Sequence, residues 1–126
     1  MNACTLVPIL TGRECEEDFV SKINAQKVVL VFVVDEKTKN DVPAALAGSS
    51  IKAAESTIEA IRKKMHPSVV VKEYIEWGSW PEKIKNIARL EEVDLVLMRN
   101  SELSETIVIF LKAAGILYQI HDTQSQ

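Results

Sequence analysis

Much of what this 126-residue chain lacks is informative. It has two cysteines, Cys4 and Cys15, too few for a disulfide framework and without metal-ligand spacing, so reduced thiols are expected. No apolar run approaches the roughly 20 residues that span a bilayer, so no membrane segment is expected. The opening Met1-Asn2-Ala3-Cys4-Thr5 lacks the basic start and apolar core of a secretory signal, and a cytoplasmic location is the expectation. An excess of positive charge is missing too. Fifteen Lys and Arg against 18 Asp and Glu leave a net charge of −3, which carries no general nucleic-acid footprint. The one basic cluster, Arg62-Lys63-Lys64, closes a predicted helix, where cations complement the helix dipole.

Glycine is scarce, with four in the chain. No Gly-x-Gly-x-x-Gly follows the first predicted strand and no Gly-Lys-Ser/Thr forms a P-loop, so neither phosphate-cradling fingerprint is present. A Cys-x-x-Cys redox pair is absent. His66 precedes Pro67 at a helix end and His121 lies near the terminus, both read as solvated side chains. No Ser-His-Asp, Cys-His or paired-carboxylate spacing is found. Accordingly, no catalytic residue and no metal ligand is nominated, and the chain is expected not to be an enzyme.

What is present is an alternation of two periods. Leu6-Val7-Pro8-Ile9-Leu10 reads as a first strand, with Pro8 near its end because proline cannot donate to a ladder. Cys15, Phe19, Val20 and Ile23 recur at helical spacing behind the acidic cluster Glu14, Glu16, Glu17 and Asp18. Lys27–Asp35 is apolar on both faces, the signature of an interior strand covered from both sides. After the charged connection Glu36–Asp41 and Val42-Pro43, the residues Ile51, Ala54, Ile58, Ile61 and Met65 mark one face of a long helix. Gly48-Ser49-Ser50 is either its start or a break within it.

Val69–Trp77 is half polar and suits an edge strand. Ser79-Trp80-Pro81-Glu82 then has the pattern of a capping box, opening a helix whose inner face is Ile84, Ile87 and Ala88. Asp94–Met98 is the fourth strand. Leu103, Ile107, Phe110, Leu111 and Ala114 form a helix ending at Gly115, and Ile116–Ile120 is the fifth strand. Residues 122–126 are expected to be a disordered tail.

Five strands alternating with four helices, without an internal repeat, imply one domain over residues 1–126. The expected architecture is three-layer and doubly wound, a five-stranded parallel sheet with helices on both faces. A receiver domain is excluded, because Ile9-Leu10-Thr11 and Trp77-Gly78 stand where its acidic residues belong.

Leu6-Val7-Pro8, Val33-Val34-Asp35, Gly78-Ser79-Trp80-Pro81-Glu82-Lys83-Ile84 and Asp94-Leu95-Val96-Leu97-Met98 come in an order and spacing that resembles the universal stress protein family. The resemblance covers almost the whole chain and implies a sheet order of 3-2-1-4-5, with a ligand crevice between strands one and four. It implies candidate ligand contacts at Pro8, Ile9, Leu10, Val34, Asp35, Met98 and Arg99. It also implies a homodimer through the fifth strand, Ile116, Leu117, Tyr118, Gln119 and Ile120, which lacks the charges that protect an edge.

The chain departs from that family at its phosphate-binding motif. Nucleotide-binding members carry Gly-x-x-Gly after the fourth strand and a later Gly-Ser or Gly-Thr, whose backbone N–H groups close on phosphates. Here Arg99-Asn100-Ser101-Glu102 follows Met98, and the next glycine is Gly115. The expectation is therefore a stress-response or regulatory interaction module without ATP and without another cofactor. The alternative is an ATP- or AMP-responsive switch built around Arg99, which otherwise pairs at the surface with Glu102 or Glu105.

Overall fold

The computed structural model describes residues 2–35 and 44–122, and the statements below concern these. Strands β1 (Asn2–Pro8), β2 (Ala25–Asp35), β3 (Val70–Gly78), β4 (Leu95–Arg99) and β5 (Tyr118–His121) alternate with helices. The helices are α1 (Glu17–Val20), α2 (Ala44–Lys64), α3 (Trp80–Leu90) and α4 (Glu102–Ala114). The sheet is parallel throughout, in the order β3-β2-β1-β4-β5. This is the expected doubly wound sheet, with its chain reversal between β1 and β4. The charged connection 36–43 and residues 123–126 of the tail lie outside the described residues.

The alternation of side chains along the central strands builds two cores. Leu6, Val29, Val31, Val33, Val96 and Met98 point to one face, where Trp80, Ile84 and Ile87 of α3 and Ile107 and Leu111 of α4 cover them. Val7, Val28, Leu30 and Leu97 point to the other, against Phe19 of α1 and Ala54, Ile58 and Ile61 of α2. Burying each such aliphatic side chain stabilises the fold by about 1.5–3 kcal/mol before chain entropy is counted. Trp80 meets Phe32 edge to face at 5.7 Å between ring centroids, fixing α3 over β2. Trp77, three residues earlier, points outward and is exposed.

Several boundaries differ from the sequence reading for identifiable reasons. The first strand ends at Pro8 rather than Leu10, because the N–H groups of Leu10, Thr11 and Gly12 turn toward a side chain instead of a neighbouring strand. Its start extends back to Asn2, where the Asp94 carboxylate accepts the N–H groups of Ala3 at 2.7 Å and Cys4 at 3.2 Å. Asp94 thus precedes β4 and ties it to β1. The first helix shrinks to four residues between turns. The long helix begins at Ala44, so Gly48-Ser49-Ser50 lies inside it.

The fifth strand begins two residues later than expected. Gly115 takes the left-handed conformation, φ 71°, and the Ile116 N–H bonds back to the Leu111 carbonyl at 2.9 Å. The chain is still closing the helix there. Ser79 is the N-cap of α3 as expected, but its side chain makes no capping bond, so the capping box is not formed. Pro81 in the first turn and Glu82 beside the dipole supply the start instead.

Candidate functional site

Ligands of open parallel sheets sit beyond the carboxyl ends of the strands, at the point where strand order reverses. In this chain that point lies between β1 and β4, and its polar groups are engaged by the protein's own side chains. After Pro8 the backbone curls so that three successive N–H groups converge, with Gly12 at φ 79°. Such a concave run of N–H groups is an anion-binding nest. The Glu14 carboxylate fills it, accepting from Leu10 at 2.9 Å, Thr11 at 2.9 Å and Gly12 at 3.0 Å. Glu14 is 0% exposed, the one acidic residue among the fully buried side chains of the described residues. The Thr57 hydroxyl of α2 lies against the same loop, shared between the Gly12 carbonyl at 3.3 Å and the Ala53 carbonyl of its own helix at 3.2 Å.

The other wall is closed by charge. Arg99 ends β4 on the α1 side of the sheet, and its side chain is 2% exposed. Its guanidinium bonds Glu16 at 3.0 Å and Asp18 at 3.1 Å, and lies over the Phe19 ring at 5.8 Å. These partners come from α1 and the turn before it, not from Glu102 or Glu105 as the spacing suggested. Strand alternation explains the difference: Arg99 points opposite Met98, away from α4. His121 of β5 approaches the same Asp18 oxygen at 3.2 Å. The Arg99 bond, and after it the His121 bond, hold the Asp18 carboxyl below its ordinary range. Glu16 is held down chiefly by its bond to Arg13.

At α4, where a phosphate would meet free N–H groups, the connection from β4 is only Asn100-Ser101. The Ser101 N–H donates to the Ser104 Oγ at 3.1 Å, and the Ser104 hydroxyl donates back to the Ser101 carbonyl at 2.6 Å. Glu102 and Glu105 occupy the first turn and add negative charge.

Ile9 and Leu10 line a cavity of about 230 Å³ with Thr11, Gly12, Phe32 and Ala54. Known small-molecule pockets start near 300 Å³, so the space is small by that measure. Pro8 and Val34 are buried in their strands, and Met98 is fully buried in the α3–α4 core. Asp35 is the last residue of β2. Glu14, which the sequence reading named only as part of the acidic cluster ahead of Phe19, is the residue it missed. Its spacing of two to four residues behind a Thr-Gly turn was the available signal.

Of the candidate dimer strand, Tyr118 and Ile120 are half-buried against the α3–α4 core, as is Ile116 before them. Leu117 and Gln119 alternate outward, and Leu117 is 72% exposed. At the opposite edge of the sheet a second charged group forms, around Glu91 just after α3. Its carboxylate accepts from Lys27 at 2.7 Å, Lys72 at 2.6 Å and the Tyr74 hydroxyl. Lys27, then Lys72 and Tyr74, hold the Glu91 carboxyl down at about 2. Cys4 is buried and its thiol pushed up by that burial; both cysteines are free. Among the described residues no helix is long and apolar enough to cross a membrane.

No protein-family model and no curated protein matches the chain. Solved structures do. The hypothetical protein MJ0577 superposes with a TM-score of 0.70 at 20% identity, over 98% of each chain. A universal stress protein family structure from Burkholderia pseudomallei gives 0.66 at 16% identity, over 94% of this chain and 95% of that one. A universal stress protein in complex with cAMP gives 0.64 at 12% identity, over 98% of both. Identity this low speaks to architecture alone, and the architecture of this chain is the universal stress protein fold.

Proposed function

We infer that the chain is a stress-response or regulatory module of the universal stress protein type, cytoplasmic and not an enzyme. It acts as a homodimeric interaction protein and does not bind ATP. The observation that carries this reading is Glu14: the anion nest at the strand-order reversal already holds a buried carboxylate on three N–H donors. A triphosphate would have to displace it, strip Arg99 from Glu16 and Asp18, and face Glu102 and Glu105. The dimer reading rests on β5, a four-residue edge strand with the exposed Leu117 beside it.

Thermal unfolding with and without millimolar Mg-ATP or AMP tests the first half. A ligand at about 100 times its Kd adds roughly 2.7 kcal/mol, a rise of several degrees for a domain of this size. No rise is expected. A clear rise would favour the second reading, an adenine-nucleotide switch in which phosphate replaces the carboxylates on Arg99. One structural neighbour is a universal stress protein in complex with cAMP, so cAMP belongs in the same series. The switch also requires Arg99→Ala to abolish the rise. Sedimentation tests the dimer: a monomer at micromolar concentration, or an unchanged dimer in Leu117→Lys, would refute it.

A further inference from the structure

Away from the strand ends, α3 and α4 lie side by side over one face of the sheet. Both return from the carboxyl edge of the sheet to its amino edge, so they run parallel. Between their outer faces is an open trough of about 330 Å³ lined by Lys85, Arg89, Ile109, Phe110, Ala113 and Ala114. The two alanines make it, because larger side chains there would fill the space. Ile109 stands on its wall 66% exposed. The opposite rim is cationic. Lys85 and Arg89 are one helical turn apart on α3, on the same face. Lys85 makes a loose 3.6 Å pair with Glu82 and lies 5.9 Å from the Phe110 ring centre. Arg89 is exposed and has no ion-pair partner among the described residues.

We propose that this trough docks an acidic amphipathic helix of a partner protein. Its apolar side chains would seat over Ala113 and Ala114 against Ile109 and Phe110, and carboxylates one turn apart would meet Lys85 and Arg89. Charge complementarity selects this occupant. In a chain of net charge −3, a pair of cations beside an exposed apolar wall fits an acidic segment and repels a basic one. Its lining residues recur one turn apart on each helix, Lys85 and Arg89 on one and Ile109 and Ala113 on the other, which matches the one-turn repeat of a docked helix. The proposal is independent of the dimer and of the nucleotide question.

The test titrates the isotopically labelled full chain, by amide NMR, with a designed peptide of roughly four helical turns. The peptide has a leucine face flanked by glutamates one turn apart, and a second version replaces the glutamates with lysines. Shifts confined to residues 84–90 and 109–115 with the acidic peptide, and none with the basic one, are expected. Arg89→Glu should weaken binding by about tenfold or more. Ala113→Trp should abolish it by filling the trough. Both positions are exposed, so circular dichroism and melting should match the unmodified chain. Equal binding of the basic peptide, shifts elsewhere, or full affinity in Arg89→Glu would overturn the proposal. So would the same shifts appearing on concentration alone, which would assign the face to a second copy, or with anionic vesicles in place of the peptide.

Discussion

Replacing Glu14 with alanine should be among the most damaging polar substitutions available in this chain. The side chain is 0% exposed and its carboxylate satisfies three backbone donors at 2.9–3.0 Å. Hydrogen bonds to an ionised acceptor contribute about 1.5–3 kcal/mol each, and buried donors left without a partner cost a further 1–3 kcal/mol. Two effects offset this: the buried carboxylate no longer has to be desolvated, and water can enter beside the adjacent cavity. A net loss of about 2–4 kcal/mol is the expectation. With about 2.1 cal/mol/K of unfolding entropy per residue, a 126-residue chain should melt about 8–15 °C lower. Calorimetry or circular dichroism melting of wild type, Glu14→Gln and Glu14→Ala measures this. Glu14→Gln should fall between, since its amide keeps one acceptor oxygen and turns an NH2 group toward the donors.

The same variant carries an internal check. In Glu14→Ala the nest is emptied, and inorganic phosphate should bind it and recover stability, about 1.4 kcal/mol at ten times its Kd. Phosphate should leave the melting point of the wild type unchanged. If Glu14→Ala melts within about 2 °C of wild type, corresponding to roughly 0.5 kcal/mol, the carboxylate does not organise the loop and the argument fails. If phosphate stabilises wild type and variant equally, the nest is not where it binds.

Two further outcomes follow from single residues. Glu91 is held at about 2 against an ordinary 4.5, so its contribution is complete above about pH 5 and is lost as pH falls from 4.5 toward 2. Solvent screening at the half-exposed lysines should reduce it to about 1–3 kcal/mol, so Glu91→Gln should lower stability at pH 7 and flatten the acid limb of a stability–pH curve; a parallel loss at pH 2 and pH 7 would contradict this. Glu92 turns the chain out of α3 in the left-handed region, φ 52°, where a side chain costs about 1–2 kcal/mol, so Glu92→Gly should raise the melting point by a few degrees, and a drop would show that its side chain contributes more than the strain costs.

The two core faces were legible because strand periodicity is a local property of the chain. Val28–Val34 admits no solvent-facing side, which forces β2 into the interior and a helix layer onto each face. The polar residues of β3, Lys72, Glu73 and Glu76, fall on both of its faces and suit it to the edge. The missing glycines after Met98 were equally plain in the sequence, and in the fold they reduce the β4–α4 connection to Asn100-Ser101. The register of β5 was less legible, because the bond from Ile116 back to Leu111 competes with strand pairing, and an apolar run does not reveal which prevails.

The sequence by itself determined the layers, the strand order through the resemblance it carries, and the absence of a phosphate-binding glycine motif. These follow from periodicity and from what individual residue types permit the backbone to do. Only the tertiary structure decided where the charges go. Glu14 and Arg99 are ordinary charged residues in the sequence, and apart from the place of Glu14 just behind Thr11-Gly12 nothing local distinguishes them from Glu17 or Arg13. Glu14 becomes the plug of the β1 nest because the chain turns at Gly12. Arg99 becomes a buried clasp because the alternation of β4 points it at α1, where Asp18 lies 81 residues earlier in the chain. A charge buried on folding takes its partner from the topology, and that partner is remote along the chain or set by a turn whose geometry the tertiary contacts decide.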